Sequence, residues 1–275
     1  MKSRASALLL LAALACRAPQ AARTPALVHA EAIRVDATIP EDPAVVAFLA
    51  PYQARMKAEF SRELCQAPQG LFRGGKADPP GENPMGSWIA DVMRQRASVL
   101  LGRPVQAALT NSGGIRANFR PGAVTVGSIF EVAPFENELV VVEVTGAQLA
   151  RMIRQGLERR AGEPCSGIKA TLKGTAERPE FEMHWSDGRP VDPAETLLLA
   201  TNDYLAANGD TMPAAAKAGR LTDTGLTIRQ MLMDACETLG KAGQPLTAPA
   251  DPRYIVAPEL APLLKAQKLK LGEQP

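Results

Sequence analysis

The chain has 275 residues, of which 46% are hydrophobic, and its 31 basic and 29 acidic residues give a formal charge of +2. This length and composition predict one or two globular domains with a packed core. Because neither sign of charge forms a long run, the charge pattern indicates neither a nucleic-acid-binding surface nor a disordered charged tail.

The N-terminus has the pattern of an export signal. A basic segment, MKSRAS, precedes the apolar run ALLLLAALA at 7–15, which is too short for a stable membrane anchor. A buried first helix is the alternative interpretation. Cys16 follows Ala-Leu-Ala and resembles a bacterial lipoprotein cleavage site without its usual Leu three residues upstream, so lipidation stays open. We predict a signal peptide or lipoprotein signal over 1–16, and a periplasmic or envelope-anchored protein.

The rest of the chain divides into three segments. Residues 17–40 are rich in Ala, Pro and small polar residues, which predicts a linker. Strand and helix patterns then alternate, which predicts a single α+β or α/β domain over 41–257. The last segment, 258–275, carries Lys residues among Leu residues. We expect a solvated tail there, with a membrane-surface helix as the alternative.

Within the domain, helical spacing of apolar residues predicts a long first helix from Glu41 and a second helix over 85–101. The second helix is expected to pack through Trp88, Ile89, Val92, Met93 and Val99. Further helices are predicted at AQLARMIRQGLERR and LTIRQMLMDACETLG. Strand candidates are VQAALT, ELVVVEVTG, IKATLK, FEMHW and TLLLATND, and AVTVGSIFEVAPF is predicted as strand pieces with a turn.

Three cysteines follow the predicted signal and linker. Cys65, Cys165 and Cys236 have no CxxC spacing, which indicates neither a zinc site nor a redox pair. In an exported protein, two of them could form one disulfide and leave the third as a buried thiol. The sequence does not select the pair.

Two glycine-containing loops follow strand candidates. In NSGGIR at 111–116, Gly113 and Gly114 let backbone amides approach a ligand closely. Asn111 offers a donor and an acceptor, and Arg116 presents a planar fork to a phosphate or a carboxylate. An ordinary turn with a surface arginine is the alternative for this hexapeptide.

The second loop is TNDYLAANGD at 201–210. Its Tyr204 ring is suited to stacking on a flat base, and Asp210 is suited to accepting hydrogen bonds from paired hydroxyls. A core tyrosine and a turn-capping aspartate are the alternative. Phe135, in VAPFENE, follows a proline in a loop, where a large apolar ring needs burial or a ligand.

Together these segments resemble the C-terminal domain of the 5′-nucleotidases, a family that includes UDP-sugar hydrolases and ecto-nucleotidases. Its N-[GS]-G-G-[IV]-R, PF-N and ND-[FY]-L-A-x-G-G-D segments occur here, in order, as NSGGIR, PFEN and NDYLAANGD. ENPMGSWIADVM, SGIK and TDTGLTIRQML resemble its E-x-x-[LM]-G-N-L-x-A-D-A helix, its S-G-[LI]-R strand and its closing helix. The resemblance covers about residues 41–257.

The resemblance implies a nucleotide-binding cleft. Two aromatic rings would sandwich the base, an aspartate would hold the ribose hydroxyls, and an asparagine and an arginine would hold the phosphate side. The implied substrate-binding residues are Asn111, Gly113, Gly114, Arg116, Phe135, Tyr204 and Asp210.

The sequence departs from the family pattern at several positions. Gly81 stands where many members have an arginine, so one phosphate contact is missing, and Arg73 is a candidate substitute. Asn208 replaces the usual first Gly of the second loop, and Thr211-Met212 replaces a Gly-aromatic pair. A different loop path near Asp210 is therefore expected.

Complete enzymes of this family, by the same resemblance, carry a metallophosphatase domain whose two metals are held by D-x-H, G-N-H and G-H-x-H patterns. This sequence has only His29, in the predicted linker, and His184, in a predicted strand. Neither lies in a ligand-spaced cluster, and we interpret His184 as a structural residue. We therefore predict no catalytic residues and no metal or other cofactor in this chain, which would be inactive alone.

The leading hypothesis is the nucleotide- or nucleoside-binding, substrate-specificity domain of a split 5′-nucleotidase. It would act in nucleotide catabolism with a separate metallophosphatase chain that holds divalent metals. The alternatives are a non-catalytic exported nucleoside-binding lipoprotein and a degenerate scaffold that binds another protein. The thiosulfohydrolase branch of the superfamily shares this domain, and nothing in the sequence selects it. No nucleic-acid partner is expected, and membrane association is expected only through a lipid on Cys16.

Overall fold

A computed structural model of the chain describes residues 34–74, 78–81, 83–211, 219 and 221–272. The predicted signal, Cys16, most of the linker and His29 lie outside these residues. The chain divides into two units, Met1–Leu49 and Ala50–Pro275. Among the described residues, no helix combines the length and the apolar character needed to cross a bilayer.

The described part of the first unit is a short turn that leads into helix α1 (Pro43–Phe60). Asp42 begins the helix, because its carboxylate accepts a hydrogen bond from Ala44 N at 2.8 Å. The predicted first helix is therefore confirmed. None of its residues is fully buried, and its apolar side chains are exposed except that of Phe60, which is partly buried.

The remaining elements of the described residues belong to the second unit. The strands are β1 (Glu63–Ala67), β2 (Ala107–Leu109), β3 (Gly122–Thr125), β4 (Glu138–Thr145), β5 (Cys165–Ser166), β6 (Ile168–Gly174), β7 (Pro179–Trp185), β8 (Thr196–Asn202), β9 (Leu221–Thr227) and β10 (Tyr254–Val256). The helices are α2 (Pro84–Leu101), α3 (Val126–Val132), α4 (Gly146–Arg160), α5 (Asp203–Ala206), α6 (Ile228–Lys241) and α7 (Ala261–Lys265).

The strands form three sheets, and helices pack on them. Strands β1 and β3 form one pair, β10-β6-β7 form a second sheet, and β5-β2-β8-β4-β9 form the largest one. In the five-stranded sheet, β2 runs parallel to β8, whereas β4 runs antiparallel to it. This mixture confirms the α+β class.

Both faces of the five-stranded sheet are buried, which explains the uninterrupted apolar run of β4. Leu139 and Val141 belong to one hydrophobic cluster, which includes side chains of α2, α3 and α6. Val142 and Val144 belong to a second cluster, which includes side chains of α4, β6 and α7.

The sheet topology brings three chain segments to one edge, here called the site edge. The parallel strands β2 and β8 both end there, β2 with one residue between it and NSGGIR, and β8 at Asn202, the second residue of TNDYLAANGD. Strand β4 begins there, because Leu139 pairs with Asn202 in the antiparallel ladder. The segment that carries Phe135 therefore reaches the same edge.

Several sequence-based expectations need correction. Val99 is 70% exposed and does not pack with the rest of α2. Residues 126–132 are a helix rather than a turn, because Thr125 and Ser128 form a capping box at its start. Strands β1, β5, β9 and β10 lay outside the predicted strands.

The C-terminal segment also differs from the expectation of a solvated tail. Its leucines at 260, 264, 269 and 271 are buried in the cluster beside α4. The backbone is fixed there as well, since Leu271 N donates to the Glu158 carboxylate at 2.6 Å. Residues 258–272 are therefore part of the packed unit.

Candidate functional site

The NSGGIR loop is anchored to the second loop through a buried amide pair. Asn111 is 5% exposed, and its Oδ1 accepts a hydrogen bond from Asn202 Nδ2 at 2.9 Å. The same Nδ2 donates to Thr110 Oγ1 at 3.1 Å. Residues Ser112–Gly114 then form a single 3-10 turn. The carbonyl oxygen of the Asn111 amide is thus engaged within the protein, which leaves its NH₂ group for any ligand.

Asn202 also starts the second loop. Its Oδ1 accepts from Leu205 N at 2.8 Å and caps the short helix α5. The neighbouring Asp203 carboxylate accepts from Glu138 N at 3.1 Å, which ties this loop to the start of β4. The ND pair of the motif therefore joins three segments at the site edge.

Arg116 and Phe135 lie together on the first loop's side of the site. The guanidinium carbon of Arg116 is 6.0 Å from the centroid of the Phe135 ring, and Arg116 donates to Gly113 O at 3.2 Å. The ring itself is 47% exposed. It is therefore available for contact with a flat ligand.

Arg229 on α6 holds the backbone of the Phe135 loop. The sequence analysis did not predict a role for this residue. Arg229 is 8% exposed and donates to the carbonyl oxygens of Ala133, Pro134 and Phe135. It also pairs with the Glu136 carboxylate at 2.6 Å. The sequence contained one indication of this role, an arginine close to apolar residues of the predicted closing helix.

On the second loop, Tyr204 and Asp210 contact each other. Tyr204 is 45% exposed, and its hydroxyl accepts from Asp210 N at 3.2 Å and donates to Asp210 Oδ1 at 3.4 Å. The other carboxylate oxygen of Asp210 is buried and has no hydrogen-bond partner among the described residues. A polar ligand group would satisfy it.

The backbone of this loop explains one of the sequence departures. Asn208 adopts φ +72°, the left-handed region that glycine favours, so this substitution keeps the turn. Gly209 follows, where an added Cβ would lie 2.4 Å from Tyr204 O. Asp210 has φ +50°. Met212 lies outside the described residues.

Arg160 and Glu163, which the sequence reasoning also missed, lie between the two loops. Ser112 N donates to Glu163 Oε2 at 2.6 Å, and Arg160 Nε lies 3.4 Å from the other carboxylate oxygen. Arg160 Nη2 is also 4.0 Å from Asp210 Oδ1. Burial raises the pKa of Glu163, and the Ser112 hydrogen bonds and the Arg160 charge counteract that rise. No sequence pattern singled out these two side chains.

All seven implied binding residues therefore belong to one cluster of loops at the site edge. Contacts run from Phe135 through Arg116 to Gly113, and from Arg160 through Asp210 to Tyr204. The cavity lined by Phe135 and Asn111 measures only about 30 Å³, which is too small to enclose a small-molecule ligand. A larger cavity of about 670 Å³ touches this cluster only through Ser112 and Arg160.

Gly81 and Arg73 can now be placed. Gly81 has φ +74°, and an added Cβ would lie 2.2 Å from the Tyr254 ring, so the packing of Tyr254 requires glycine there. The Arg73 guanidinium donates to the carbonyl oxygen of Ile115, next to Arg116. Its position beside the first loop is compatible with the predicted substitute role, which stays a prediction.

His184 lies on a different sheet from the site edge, whereas Cys165 pairs with Leu109 at the end of β2. His184 is on β7 of the three-stranded sheet. Cys65, Cys165 and Cys236 are buried free thiols. Within the described ranges, no group of three or more His, Cys, Asp or Glu side chains is arranged to hold a metal ion.

The fold and the paired loops define a domain of the nucleotidase type, and comparison with known proteins identifies the family. The sequence model described as 5′-nucleotidase, C-terminal domain, matches residues 66–217, more than half of the chain. The chain therefore belongs to the 5′-nucleotidase C-terminal domain family, which confirms the resemblance drawn from its motifs.

Individual relatives agree with this assignment. The trifunctional nucleotide phosphoesterase protein YfkN of Bacillus subtilis is 29% identical over 176 residues, 60% of this chain and 12% of YfkN. Cell wall protein Lmo0130 of Listeria monocytogenes is 30% identical over 159 residues, 54% of this chain and 20% of that protein. The crystal structure of a 5′-nucleotidase precursor from Thermus thermophilus matches with a TM-score of 0.66 and 27% identity, over 80% of this chain and 44% of that one. This chain thus spans less than half the length of each.

Proposed function

We propose that this chain binds a nucleotide or nucleoside as the substrate-specificity domain of a split 5′-nucleotidase. The observation that carries the proposal is the convergence of the two loops at the site edge, where the exposed Phe135 and Tyr204 rings accompany Arg116 and Asp210. An aromatic pair beside an arginine and a carboxylate matches the chemistry of a nucleotide, which has a flat base, a diol and an anion.

In this proposal each side of the site has one task. Phe135 and Tyr204 stack on the base, and each stack contributes about 1–3 kcal/mol. Asp210 accepts hydrogen bonds from the ribose hydroxyls through its buried oxygen that lacks a partner among the described residues. Arg116 and the NH₂ group of Asn111, with the backbone at Gly113 and Gly114, hold the phosphate side.

Phosphate-ester hydrolysis would be supplied by a metallophosphatase in a separate chain. Two-metal hydrolysis needs a cluster of carboxylate and imidazole ligands, and the two histidines of this sequence, at 29 and 184, do not form one. The divalent metals of the reaction would belong to that partner. The role of this chain would be to select and orient the substrate.

Export is the second part of the proposal. The basic and apolar pattern of residues 1–16 supports a signal or a lipoprotein signal. The relative from Listeria monocytogenes is named a cell wall protein, which supports a location outside the cytoplasm. Mass spectrometry of the mature N-terminus distinguishes cleavage alone from lipidation of Cys16.

Calorimetric titration of the purified chain with AMP, adenosine and ribose 5-phosphate tests the binding proposal. We expect AMP to bind, and we expect Phe135→Ala and Tyr204→Ala each to weaken it about tenfold, the effect of losing one stack. Tyr52→Ala, which removes an exposed aromatic ring on α1, is the matched control and should leave affinity unchanged. Equal effects of all three substitutions would contradict the proposed site.

A hydrolysis assay tests the division of labour. With Mn²⁺, the chain alone should release no phosphate from AMP, and addition of a metallophosphatase partner should restore release. Robust turnover by the chain alone would refute the split arrangement. Tight adenosine binding without any stimulation by a partner would favour a nucleoside-binding lipoprotein. Partner binding that survives loss of both rings would favour a protein-binding scaffold.

A further inference from the structure

Cys65 on β1 and Cys236 on α6 belong to the same hydrophobic cluster. Each is at most 2% exposed, and each thiol is the largest influence on the pKa of the other. Cys165 belongs to the other cluster, where its partners are Tyr254 and the polar groups beside it. The fold therefore selects one pair out of the three cysteines.

The close contact of α6 with β1 explains why the two cysteines are neighbours. Gly240 lies one turn beyond Cys236 on the same helix face, and a Cβ there would lie 2.0 Å from Leu64 O. Glycine thus lets the helix backbone rest directly on the strand. An ion pair between Arg62 and Glu237, at 2.8 Å, fixes the same junction from the outside.

A cavity of about 600 Å³ lies beside this junction. Cys65 is one of its lining residues, whereas Cys236 is not. Interaction with Cys236 lowers the pKa of the Cys65 thiol, whereas interaction with Cys65 and burial raise the pKa of Cys236. Because the thiolate is the nucleophile in disulfide exchange, and because Cys65 lines the cavity whereas Cys236 does not, we expect Cys65 to react first.

We propose that Cys65 and Cys236 form a disulfide that joins β1 to α6, with Cys165 remaining a free thiol. The Cys65 thiolate attacks one sulfur of a donor disulfide, forms a mixed disulfide and releases the first donor thiol. Cys236 then loses its proton and attacks the Cys65 sulfur, which releases the second donor thiol. The two cysteines lose two protons and two electrons in total, and the donor disulfide is reduced to two thiols.

The proposed disulfide would covalently join β1 to α6, a helix that supports the candidate site. Helix α6 also carries Arg229, which holds the Phe135 loop. The bond would close a loop of roughly 170 residues, and disulfides that close long loops stabilise mainly by restricting the unfolded chain. Reduction should therefore lower the melting temperature, by roughly 5–15 °C for a typical disulfide in a domain of this size.

Peptide mapping tests the pairing. The full chain, purified without reductant, is equilibrated with oxidised glutathione, alkylated in denaturant and digested with trypsin. Peptides 63–73 and 230–241 should appear as one linked species, and peptide 161–169 should carry the alkylated Cys165. Because the oxidant is supplied in the tube, the result does not depend on export. Alkylation of both Cys65 and Cys236, or a link that contains Cys165, would overturn the proposal.

Variants provide the matched controls. Cys65→Ser should abolish the linked peptide and the loss of melting temperature on reduction with dithiothreitol, whereas Cys165→Ser should keep both. Cys236→Ala provides a second test of the same bond if Cys65→Ser does not fold. A melting temperature that responds equally to dithiothreitol in the wild-type chain and in Cys236→Ala would contradict a stabilising bond.

Discussion

The two loops of the candidate site leave neighbouring parallel strands, but they are held in different ways. The NSGGIR loop is fixed by side chains from other segments, since Asn202 donates to Asn111 and Glu163 accepts from Ser112 N. Beyond α5, the second loop is shaped mainly by its own backbone. Asn208 and Asp210 adopt positive φ angles, and Gly209 packs against Tyr204.

Because of this difference, substitutions in the two loops should affect different properties of the protein. Changes in the buried polar contacts of the first loop should act mainly on the free energy of unfolding, because they leave desolvated groups without partners. Changes in the backbone of the second loop should act mainly on ligand affinity, because they move exposed groups. Three substitutions test this separation.

The largest expected effect is that of Asn202→Ala. It removes the donor to Thr110 and Asn111 and the cap of α5. We expect the free energy of unfolding to fall by about 2–4 kcal/mol, as measured by urea denaturation. Asn208→Gly is the control, because glycine accepts the left-handed conformation, and it should change stability little. Equal losses in the two variants would contradict the difference between the loops.

Gly209→Ala should have an intermediate effect on stability and a clear effect on binding. The new Cβ would meet Tyr204 O at 2.4 Å and the Tyr204 ring at 2.5 Å, so the ring must shift. AMP affinity should fall about tenfold, as expected for the loss of one stack, with a smaller loss of stability than in Asn202→Ala.

Gly113→Ala is the matched comparison for Gly209→Ala, because it adds a Cβ that fits. This Cβ would lie 3.4 Å from Arg160 Nη2, an ordinary contact distance. It should destabilise less than Gly209→Ala. The opposite order of stabilities in urea would show that the second loop is not held by its own close backbone contacts.

The smallest effect is the pH dependence that comes from Glu163. Burial raises its pKa above the ordinary value of 4.5, so the folded chain binds the proton more tightly than the unfolded chain does. This contribution to stability is present below the unfolded pKa and is lost as the pH rises through the raised folded value. Glu163→Gln should remove the part of the fall in the free energy of unfolding that begins as the pH rises above the ordinary carboxyl pKa, as measured by urea denaturation. Glu180→Gln, at an exposed position, is the control; an unaltered slope in Glu163→Gln would contradict this role.

Much of the fold was predictable because it depends on local patterns. Apolar periodicity indicated helices α1, α2, α4 and α6 and the buried strand β4. Helix α3 was missed, because its seven residues are too few for a clear period and its start depends on the Thr125–Ser128 capping box. The tail was misjudged, since its alternating Lys and Leu residues show no partner until α4 is in place.

For the site, the sequence by itself determined which chemical groups the two loops carry, because the glycine pair, the ND pair and the aromatic positions lie in short segments; their contact with a nucleotide stays a prediction. Only the tertiary structure decided how those segments are held. Arg229 meets the Phe135 carbonyl 94 residues away, and Asn202 meets Asn111 from 91 residues away. The ring of Tyr254, distant in sequence, explains why position 81 is a glycine. Cys65 likewise has its neighbour, Cys236, far away in the sequence. Such contacts depend on the packing of distant segments, and no local periodicity encodes them.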